Sequence, residues 1–387
     1  MEIKESPPSS SFLKASKSVR YLSLDVLRGL TIALMVLVNT PGSWSSIYAP
    51  FRHAPWHGFT ITDLVFPTFL FVVGNAMSFS MRKFRSGRNS AFLRKVFTRT
   101  FLIFAIGLFL SAFPFFHWEN GSLVPDDLSG MRIMGVLQRI ALCYLFASLI
   151  VRYLNIKTVA ILSVGILLAY WGVMYYFGDP AAPFSMEGNA ALKFDLLFFD
   201  PENLWGGFGF PFDPEGLLST LPAIVNVIAG YFAGLFIQRS GNNIKTVVSL
   251  AVSGIVFVLL GELWDMVFPI NKPIWTSSYV VLTIGWDLLL LSGLIFIIEV
   301  LSLKKWTYFF EVFGKNPLFI FVMSGIFVML MNLIRIDGTS LKRTIYGNFY
   351  NSWLPDLDAS LAFAVSYMLL MWLLGYVMDK NRIYIKV

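Results

Sequence analysis

The sequence contains little charge. Lys, Arg, Asp and Glu make up 14% of its 387 residues, whereas a soluble domain usually carries about 25%. Hydrophobic residues make up 56%, and the mean hydropathy is +0.68. Too few polar side chains remain to cover a surface in water, so lipid must be the solvent for most of the chain. The composition excludes an ordinary soluble protein and predicts an all-α, polytopic membrane protein.

Cysteine and histidine are scarce as well. The single cysteine, Cys143, lies in an apolar run, which excludes a disulfide framework, a cysteine metal site and a CxxC redox motif. The three histidines are His53, His57 and His117. Two of them, His53 and His57, lie near Asp63 but lack a clear ligand spacing for a metal site, so we expect no metal. No nucleophile elbow, P-loop or Rossmann glycine pattern occurs in a strand–helix context. Covalent serine chemistry and nucleotide hydrolysis therefore have no support.

Ten apolar segments are long enough to cross a bilayer, which takes about 20 residues. They are 22–40, 60–81, 97–116, 131–151, 157–177, 216–237, 245–267, 276–300, 310–334 and 358–378. Residues 1–20 are polar and rich in Ser and Pro, which predicts a disordered cytoplasmic tail ahead of an uncleaved first helix. Residues 21–387 are predicted to form one transmembrane domain.

Basic residues divide unequally between the loops. The net charge is +7, but the charges fall in short bursts between apolar runs, which argues against nucleic-acid binding. If the N-terminus is cytoplasmic, 20 Lys and Arg lie in inner segments: four in 1–20, seven in 82–99 and nine in later ones. The outer loops contain six, namely Arg52, Lys193, Lys272, Arg335, Lys342 and Arg343. The positive-inside rule therefore predicts that both termini are cytoplasmic.

Irregular sequence collects on the predicted outer side, in segments 41–59, 117–130, 178–215 and 335–357. These segments are rich in Trp, Phe, Pro, Gly, Asp and Asn, and residues 199–215 read FDPENLWGGFGFPFDPE. Aromatic rings beside carboxylates and amides suit sugar binding, but Trp and Phe are also ordinary anchors at a membrane interface. Composition alone leaves both interpretations open.

Ionisable and amide side chains occur inside the predicted spans, where they usually mark function. Asp25 and Arg28 are three residues apart, so they either pair near the inner interface to fix helix packing or serve a function. Gln138 and Arg139 lie together in the fourth span. A buried arginine needs an anion or carbonyl groups, and either a ligand phosphate or a carboxylate such as Asp287 would serve.

His53 and Asp63 form a candidate acid–base pair. A histidine that a carboxylate orients is the minimal general-base arrangement, because neutral imidazole titrates near working pH. The two residues lie in RHAPWHGFTITD, just before and within the second predicted span. The pattern alone is weak, since surface loops carry histidines by chance.

Several long blocks resemble one known family. LDVLRGLTIALMVLVN, RHAPWHGFTITDLVFPTFLFVVG, RIMGVLQRIALCY, FDPEGLLSTLPAIVNVIAGYFAG, FPINKPIWTSSYV and VFGKNPLFIFVMSG occur in that order between residue 21 and the C-terminus. They are similar to the heparan-α-glucosaminide N-acetyltransferases, a family of transmembrane acetyltransferases. The resemblance implies an acetyl-CoA-dependent enzyme that acetylates the amine of a terminal glucosamine-type sugar of a glycan across the bilayer.

The resemblance also assigns catalytic residues. The family's active-site histidine lies in the context HASWNG, which here reads HAPWHG, so His53 inherits that role. Asp63 matches the family's aspartate before LVFP, and Asn39 matches the asparagine that ends the preceding helix. His57 stands where the family has asparagine, and the segment from Asn39 to His53 is slightly longer here. We expect His53 to act as general base on the acceptor amine, and Asp63 to fix its tautomer or to stabilise the imidazolium. Asn39 is expected to donate a hydrogen bond to the thioester oxyanion. A covalent acetyl-histidine intermediate remains an alternative.

We also predict ligand contacts. Arg28, Gln138 and Arg139 are assigned to acetyl-CoA, and Trp56 and His57 to the acceptor. Basic residues of the inner segment 82–99 either attract the phosphates of CoA or only set the topology.

Three other functions are kept as alternatives. An O-acetyltransferase of a cell-envelope glycan has the same architecture with a hydroxyl acceptor. A secondary transporter fits ten helices with buried charges but usually shows paired broken helices, which the sequence does not indicate. A non-catalytic scaffold does not explain the grouping of histidine, aspartate and asparagine.

We also expect a cellular setting. The absence of the family's lumenal domain and of one extra N-terminal helix fits a bacterial inner-membrane protein whose site opens to the periplasm. A homodimer is compatible with such a chain.

Overall fold

Residues 21–84 and 89–385 are described by a computed structural model, so the predicted tail, residues 1–20, lies outside the described part. Thirteen α-helices form most of that part. They are α1 Leu22–Asn39, α2 Ile61–Ser80, α3 Asn89–Ala112, α4 Val136–Tyr153, α5 Ile156–Phe177, α6 Ala190–Asp195, α7 Thr220–Ser240, α8 Ile244–Asp265, α9 Ser277–Ile295, α10 Thr307–Lys315, α11 Pro317–Leu333, α12 Leu341–Tyr346 and α13 Asp356–Lys380. Single helical turns form at Ala49–Phe51, Met81–Phe84, Pro201–Asn203, Phe296–Val300 and Gly347–Asn351.

Nine helices of the described residues are long and apolar enough to cross a membrane, and the bent pair α10–α11 makes ten if it is one span. The nine are α1 to α5, α7, α8, α13, and α9 with the turn that follows it. The prediction of an all-α, polytopic membrane protein is therefore confirmed.

The structure breaks the ninth predicted span, 310–334. It contains two helices, α10 and α11, that meet at an angle of 82°. Asn316 separates them with a non-helical backbone, and Pro317 is the first residue of α11. A proline disfavours helical backbone in the residue before it and lacks an N–H for the helix ladder, so it ends one helix and begins another. Hydropathy does not detect such a break, because both halves are apolar.

Two other predicted boundaries shift for physical reasons. Helix α3 begins at Asn89 instead of 97, because a helix continues beyond its apolar section into residues such as Lys95 that hydropathy assigns to a loop. Helix α4 begins at Val136 instead of 131, since Arg132 lies in the preceding segment and binds carboxylates there. Two short hairpins also occur in the predicted outer loops: β1 Phe116–Glu119 pairs with β2 Ser122–Pro125, and β3 Arg335–Ile336 pairs with β4 Thr339–Ser340.

Helix α2 lies at the centre of the bundle and contacts α1, α4, α7 and α9. Its closest neighbour is α7, and two glycines allow the approach. A Cβ added at Gly74 would lie 1.7 Å from the Val227 carbonyl oxygen, and one at Gly230 would lie 1.8 Å from that of Phe71. Neither position has room for a larger residue, so the two helix backbones approach closely at these points. The first turn of this helix carries Asp63.

Candidate active site

The N-terminus of α2 is closed by a capping box. Thr60 is the N-cap, and its backbone N–H and hydroxyl both donate to Oδ2 of Asp63, at 3.1 and 3.0 Å. The backbone N–H of Ala54 donates to the same oxygen at 3.2 Å. The Tyr279 hydroxyl, on α9, donates to the Asp63 carbonyl oxygen at 2.6 Å. Asp63 is 1% exposed, so its carboxylate is fixed both by its own helix and by the loop before it.

His53 and Asp63 are in contact, as the sequence predicted for a general base and its orienting group. His53 Nδ1 lies 2.6 Å from Oδ1 of Asp63, and the histidine side chain is 46% exposed. Since a carboxylate only accepts hydrogen bonds, Nδ1 carries the proton in this contact. Nε2 of His53 then carries a free lone pair, which is what a general base requires.

Lys272 is a third member of this site that sequence reasoning missed. It lies between α8 and α9, and its Nζ is 3.1 Å from Nδ1 and 3.3 Å from Nε2 of His53. The same ammonium is 3.7 Å from Oδ1 of Asp63. Burial lowers the pKa of Lys272, while the carboxylates of Asp63 and Glu215 oppose that shift. In the sequence Lys272 is only one of six basic residues in the predicted outer loops and lies 219 residues from His53, so no spacing connects them.

Trp56 and His57, the predicted acceptor contacts, contact residues other than His53 and Asp63. Trp56 Nε1 donates to the Phe184 carbonyl oxygen at 2.9 Å, and its ring packs edge-on against Phe208 and Phe212. His57 Nδ1 lies 3.3 Å from Nδ2 of Asn271, the residue next to Lys272. Burial lowers the pKa of His57, and the charge of Asp265 acts against that shift. Substrate contact by either side chain stays a prediction.

Asn39, the third predicted catalytic residue, is the last residue of α1 and is exposed. Within the described residues its side chain makes no hydrogen bond to His53 or Asp63. Its role towards an oxyanion remains a prediction.

Segment 178–215, which is predicted to be an outer loop, is tied to the segments that precede α4 and α7 by charged side chains. Arg132 donates to both oxygens of Asp213, at 2.8 and 2.6 Å, and to Glu215 at 2.6 Å. Burial alone would lower the pKa of Arg132, but hydrogen bonds and charge from these carboxylates raise it above its ordinary value. Asp195, at the end of α6, accepts the backbone N–H groups of Leu217 and Leu218 at 2.9 and 3.2 Å. Burial raises the pKa of Asp195 to about 7.

Arg139 does not pair with the carboxylate named as its candidate partner. It is completely buried, donates to the Gly216 carbonyl oxygen at 3.1 Å and to the Ser219 hydroxyl, and lies 4.8 Å from the Trp275 ring centroid. Asp287 instead accepts the Thr68 hydroxyl at 2.6 Å. Of the alternatives left open by the sequence, the carbonyl contact is present, together with a hydroxyl and a ring contact, and the ion pair with Asp287 is not. Nε and Nη1 of Arg139 have no hydrogen-bond partner among the described residues.

A cavity of about 510 Å³ opens beside the C-terminal half of α2. Its wall includes four cations, Arg28, Lys95, Arg99 and Lys315, together with apolar residues of α2 from Phe69 to Ala76. Arg28 is held by Asp25 at 2.8 Å and by the Gly314 carbonyl oxygen at 2.7 Å, and Lys315 is held by Asp379 at 2.8 Å.

The other two cations of the cavity are not neutralised in this way. Within the part of the chain that the structure describes, Lys95 and Arg99 form no ion pair. Lys95 lies 5.4 Å from the ring centroid of Phe84, and Arg99 lies 4.7 Å from that of Tyr144.

Of the three residues predicted to bind the cofactor, one lies at this cavity. Arg28 lines the cavity, whereas Gln138 and Arg139 are buried and are not among the residues that line it. Gln138 packs against Gly107, where an added Cβ would lie 2.4 Å from its Oε1. Cofactor contact by all three stays a prediction.

The described residues therefore define a class of protein, which is a multi-pass membrane protein with a histidine–aspartate pair at one end of its central helix. A family model described as "Heparan-alpha-glucosaminide N-acetyltransferase, catalytic" matches residues 20–264, which include His53 and Asp63. That match covers more than half of the chain, so the chain belongs to the heparan-alpha-glucosaminide N-acetyltransferase family.

Two curated relatives carry that family name. The heparan-alpha-glucosaminide N-acetyltransferase of Homo sapiens is 27% identical over 362 residues, covering 80% of this chain and 53% of the human protein. The Mus musculus protein of the same name is 25% identical over 362 residues, covering 80% and 54%. The chain thus spans about half the length of the curated relatives it matches.

Proposed function

We propose that this protein transfers an acetyl group from cytosolic acetyl-CoA to the amine of a terminal glucosamine-type sugar on the outer face of the membrane. In a bacterium this would be the inner membrane, with the site open to the periplasm. The observation that carries the proposal is the contact of 2.6 Å between His53 and Asp63 in a chain of this family.

The proposed reaction uses His53 as the base and then as the acid. The neutral amine nitrogen attacks the thioester carbonyl carbon, a C–N bond forms, and the carbonyl electron pair moves to oxygen. Nε2 of His53 takes a proton from that nitrogen. When the carbonyl re-forms, the C–S bond breaks, and the imidazolium returns the proton to the CoA thiolate. The products are an N-acetyl amide and CoA, and the buried Asp63 carboxylate stabilises the transient imidazolium.

The cationic cavity is the proposed binding site for acetyl-CoA. Phosphate groups favour Lys and Arg, and Lys95 and Arg99 form no ion pair within the described residues. Along α2, Asp63 lies about 9 Å of helix rise from Phe69 and about 20 Å from Ala76. A long, flexible pantetheine arm suits such a separation, because the nucleotide stays at the cavity while the thioester approaches His53.

The orientation is proposed from charge. With both termini cytoplasmic, the inner segments hold 20 basic residues and the outer loops hold six. This orientation puts the cavity, beside the C-terminal half of α2, towards the cytosol and His53 towards the outer face. Donor and acceptor would then approach the site from opposite sides.

The experiment is direct assay of purified protein with acetyl-CoA and a panel of amino sugars, followed by mass spectrometry of the products. We expect one product heavier by an acetyl group, and we expect His53→Ala to lower the rate about 10²–10⁴-fold. His57→Asn, which restores the family's residue, is the matched control and should keep most activity. Loss of activity in His57→Asn with an active His53→Ala would mean that the wrong histidine was assigned.

Hydroxylamine treatment separates an amine acceptor from a hydroxyl acceptor. An amide survives this treatment, whereas an O-acetyl ester loses its acetyl group. Release of acetyl from the isolated product would refute the amine acceptor and support an O-acetyltransferase of an envelope glycan.

A further inference from the structure

A second cavity lies at the same end of α2 as the cationic cavity. Its volume is about 620 Å³, within the range of roughly 300–1,000 Å³ that is usual for ligand sites. It lies where the C-terminal end of α4, the N-terminal end of α5 and the middle of α7 meet, and Met81, directly after α2, is part of its wall. Among the described residues the two cavities have no wall residue in common. The second cavity is therefore a separate site.

The wall of the second cavity contains two cations, Arg152 and Lys157. Within the described residues neither forms an ion pair, and no carboxylate lines the cavity. Nη2 of Arg152 donates to Oδ1 of Asn89 at 2.8 Å, and the guanidinium lies 5.6 Å from the ring centroid of Phe92. Neutral groups therefore hold this cation in place, whereas two of the four cations of the first cavity are paired with aspartates.

Lys157 adds to the positive charge at this point. It lies in the first turn of α5, where the helix dipole disfavours a cation, and that turn contains no acidic residue. Arg152, in the last turn of α4, lines the same cavity. An anion bound there would offset a charge that the described residues of the protein leave uncompensated.

The rest of the wall is mostly apolar. Besides Asn155 and Tyr231, it consists of Met81, Val151, Leu154, Ile156, Val159 and Phe232. Leu154 and Ile156 are exposed at the turn between α4 and α5, so the apolar part of the wall continues onto a face that lipid covers in a membrane. With the orientation proposed above, this end of the helices lies at the cytoplasmic leaflet, whose surface is negatively charged. A molecule with both a phosphate group and apolar chains matches the whole wall, whereas a free phosphate matches only its cations.

We propose that the second cavity binds an anionic phospholipid, with Arg152 and Lys157 at the phosphate of its headgroup and the apolar wall along the first part of its acyl chains. Charged hydrogen bonds from Lys and Arg are the usual contacts of a phosphate group. The bound lipid joins α4, α5 and α7 and stabilises the turn between α4 and α5. The site does not depend on the proposed acetyl transfer, because neither His53 nor the acetyl-CoA cavity contributes a residue to it.

The chain contains a matched control, because the same helix start occurs twice. Residues 155–158 and 243–246 both read NIKT. In both, the asparagine is the N-cap, its side chain accepts the N–H of the threonine at 3.0 Å, and the lysine is exposed. Lys245 is not among the residues that line the second cavity. Lys157 and Lys245 thus have the same charge, local sequence and position in a helix, and differ in the cavity.

The experiment is a lipid titration of the detergent-purified full-length protein, followed by native mass spectrometry. Phosphatidylglycerol is the anionic probe and phosphatidylcholine the zwitterionic one. One basic residue near the membrane surface changes the affinity for anionic lipid by about fivefold. Lys157→Gln should therefore weaken the first phosphatidylglycerol binding event about fivefold, and Arg152→Gln at least as much, while Lys245→Gln leaves it unchanged. Phosphatidylcholine should bind the wild-type protein more weakly than phosphatidylglycerol does.

Melting curves give a second measurement. Phosphatidylglycerol should raise the melting temperature of the wild-type protein more than that of Lys157→Gln, since a ligand stabilises the folded state that binds it. Lys157 is exposed and makes no hydrogen bond within the described residues. Lys157→Gln therefore decides the proposal even if Arg152→Gln, which loses the contact with Asn89, does not fold.

Three results would overturn the lipid site. Equal losses in Lys157→Gln and Lys245→Gln would mean a general attraction between surface charge and lipid. Equal affinity of the wild-type protein for the two lipids would mean that the cations do not bind the headgroup. Displacement of bound phosphatidylglycerol by acetyl-CoA or by inorganic phosphate at an equal concentration would make the second cavity a nucleotide or phosphate site.

Discussion

Asp63→Asn changes the tautomer of His53 while keeping the shape of the site. Both oxygens of Asp63 are in use: Oδ2 accepts from the Ala54 N–H, the Thr60 N–H and the Thr60 hydroxyl, and Oδ1 faces Nδ1 of His53. Asparagine has one acceptor oxygen and one donor NH₂ group. Its oxygen remains with the three donors, so its NH₂ group points at Nδ1. Nδ1 must then accept, and the proton moves to Nε2, where the reaction needs a lone pair.

The expected loss of catalytic rate follows from this change of the His53 tautomer. A base in the wrong tautomer loses its proton-transfer contribution, so kcat should fall about 10²–10⁴-fold, or about 2.7–5.4 kcal/mol in activation free energy. The three donors at Oδ2 keep their acceptor, so the N-terminus of α2 should remain folded. Initial rates of acetyl transfer and a melting curve of the detergent-purified protein measure both effects.

The chain again offers a control, because Asp126→Asn makes the same change in the exposed His117–Asp126 pair and should leave the rate unchanged. A folded Asp63→Asn with nearly wild-type kcat would refute the assignment of His53 as an oriented general base.

Three further outcomes are expected. Lys95→Ala should raise the KM for acetyl-CoA several-fold, because it removes from the cavity a cation that has no ion pair in the described residues. Arg94 is exposed on the same helix and does not line the cavity, so Arg94→Ala should leave the KM unchanged. Equal effects of the two substitutions in steady-state kinetics would argue against the cavity as the acetyl-CoA site. Cysteines replacing Lys245 and Gly206 should react with impermeant maleimide from opposite sides of the membrane, and reaction from one side contradicts the proposed orientation. Because the pKa of Asp195 is raised to about 7, the native protein keeps a proton on this carboxyl group at pH values where the unfolded chain has lost it. The free energy of unfolding therefore falls as the pH rises from about 4 to 7, by at most about 4 kcal/mol. Asp195→Asn should therefore melt higher than wild type at pH 8 and at the same temperature at pH 4, and an equal difference at both pH values would contradict the buried, protonated carboxyl group.

Hydropathy located the spans because a helix that crosses lipid needs a long apolar segment. It does not detect a break in the helix when the segment stays apolar on both sides. The break at Asn316 is an example: the residues on both sides are apolar, and only Pro317 marks the end of one helix. The start of α3 shows the opposite error, because its first turns are helical but polar, and hydropathy therefore left them out of the predicted span. Both errors concern where a helix ends and not whether it exists.

The sequence predicted those contacts of the candidate site that join residues close together along the chain, and it missed the contact between residues far apart. His53 and Asp63 are ten residues apart, so one loop and one helix cap bring them together. Lys272 reaches the same point from another loop, and only the packing of α9 on α2 determines that contact. The buried arginines show the same limit: sequence identified Arg28 and Arg139 as costly charges but not that only Arg28 lies at the cavity.

The break between α10 and α11 has a practical consequence for handling the protein. Both polar groups of the Asn316 side chain are used by the C-terminal segment: its Nδ2 donates to the Ile383 carbonyl oxygen at 3.0 Å, and its Oδ1 accepts the Ile385 N–H at 2.8 Å. Ile385 also forms part of the cavity wall. An affinity tag fused directly after this residue would begin at the wall of the cavity, and a deletion that removes Ile383 and Ile385 would leave the amide of Asn316 without these partners. Purification handles therefore belong at the N-terminus, and a C-terminal fluorescent fusion needs a long flexible spacer before its signal reports on an undisturbed protein.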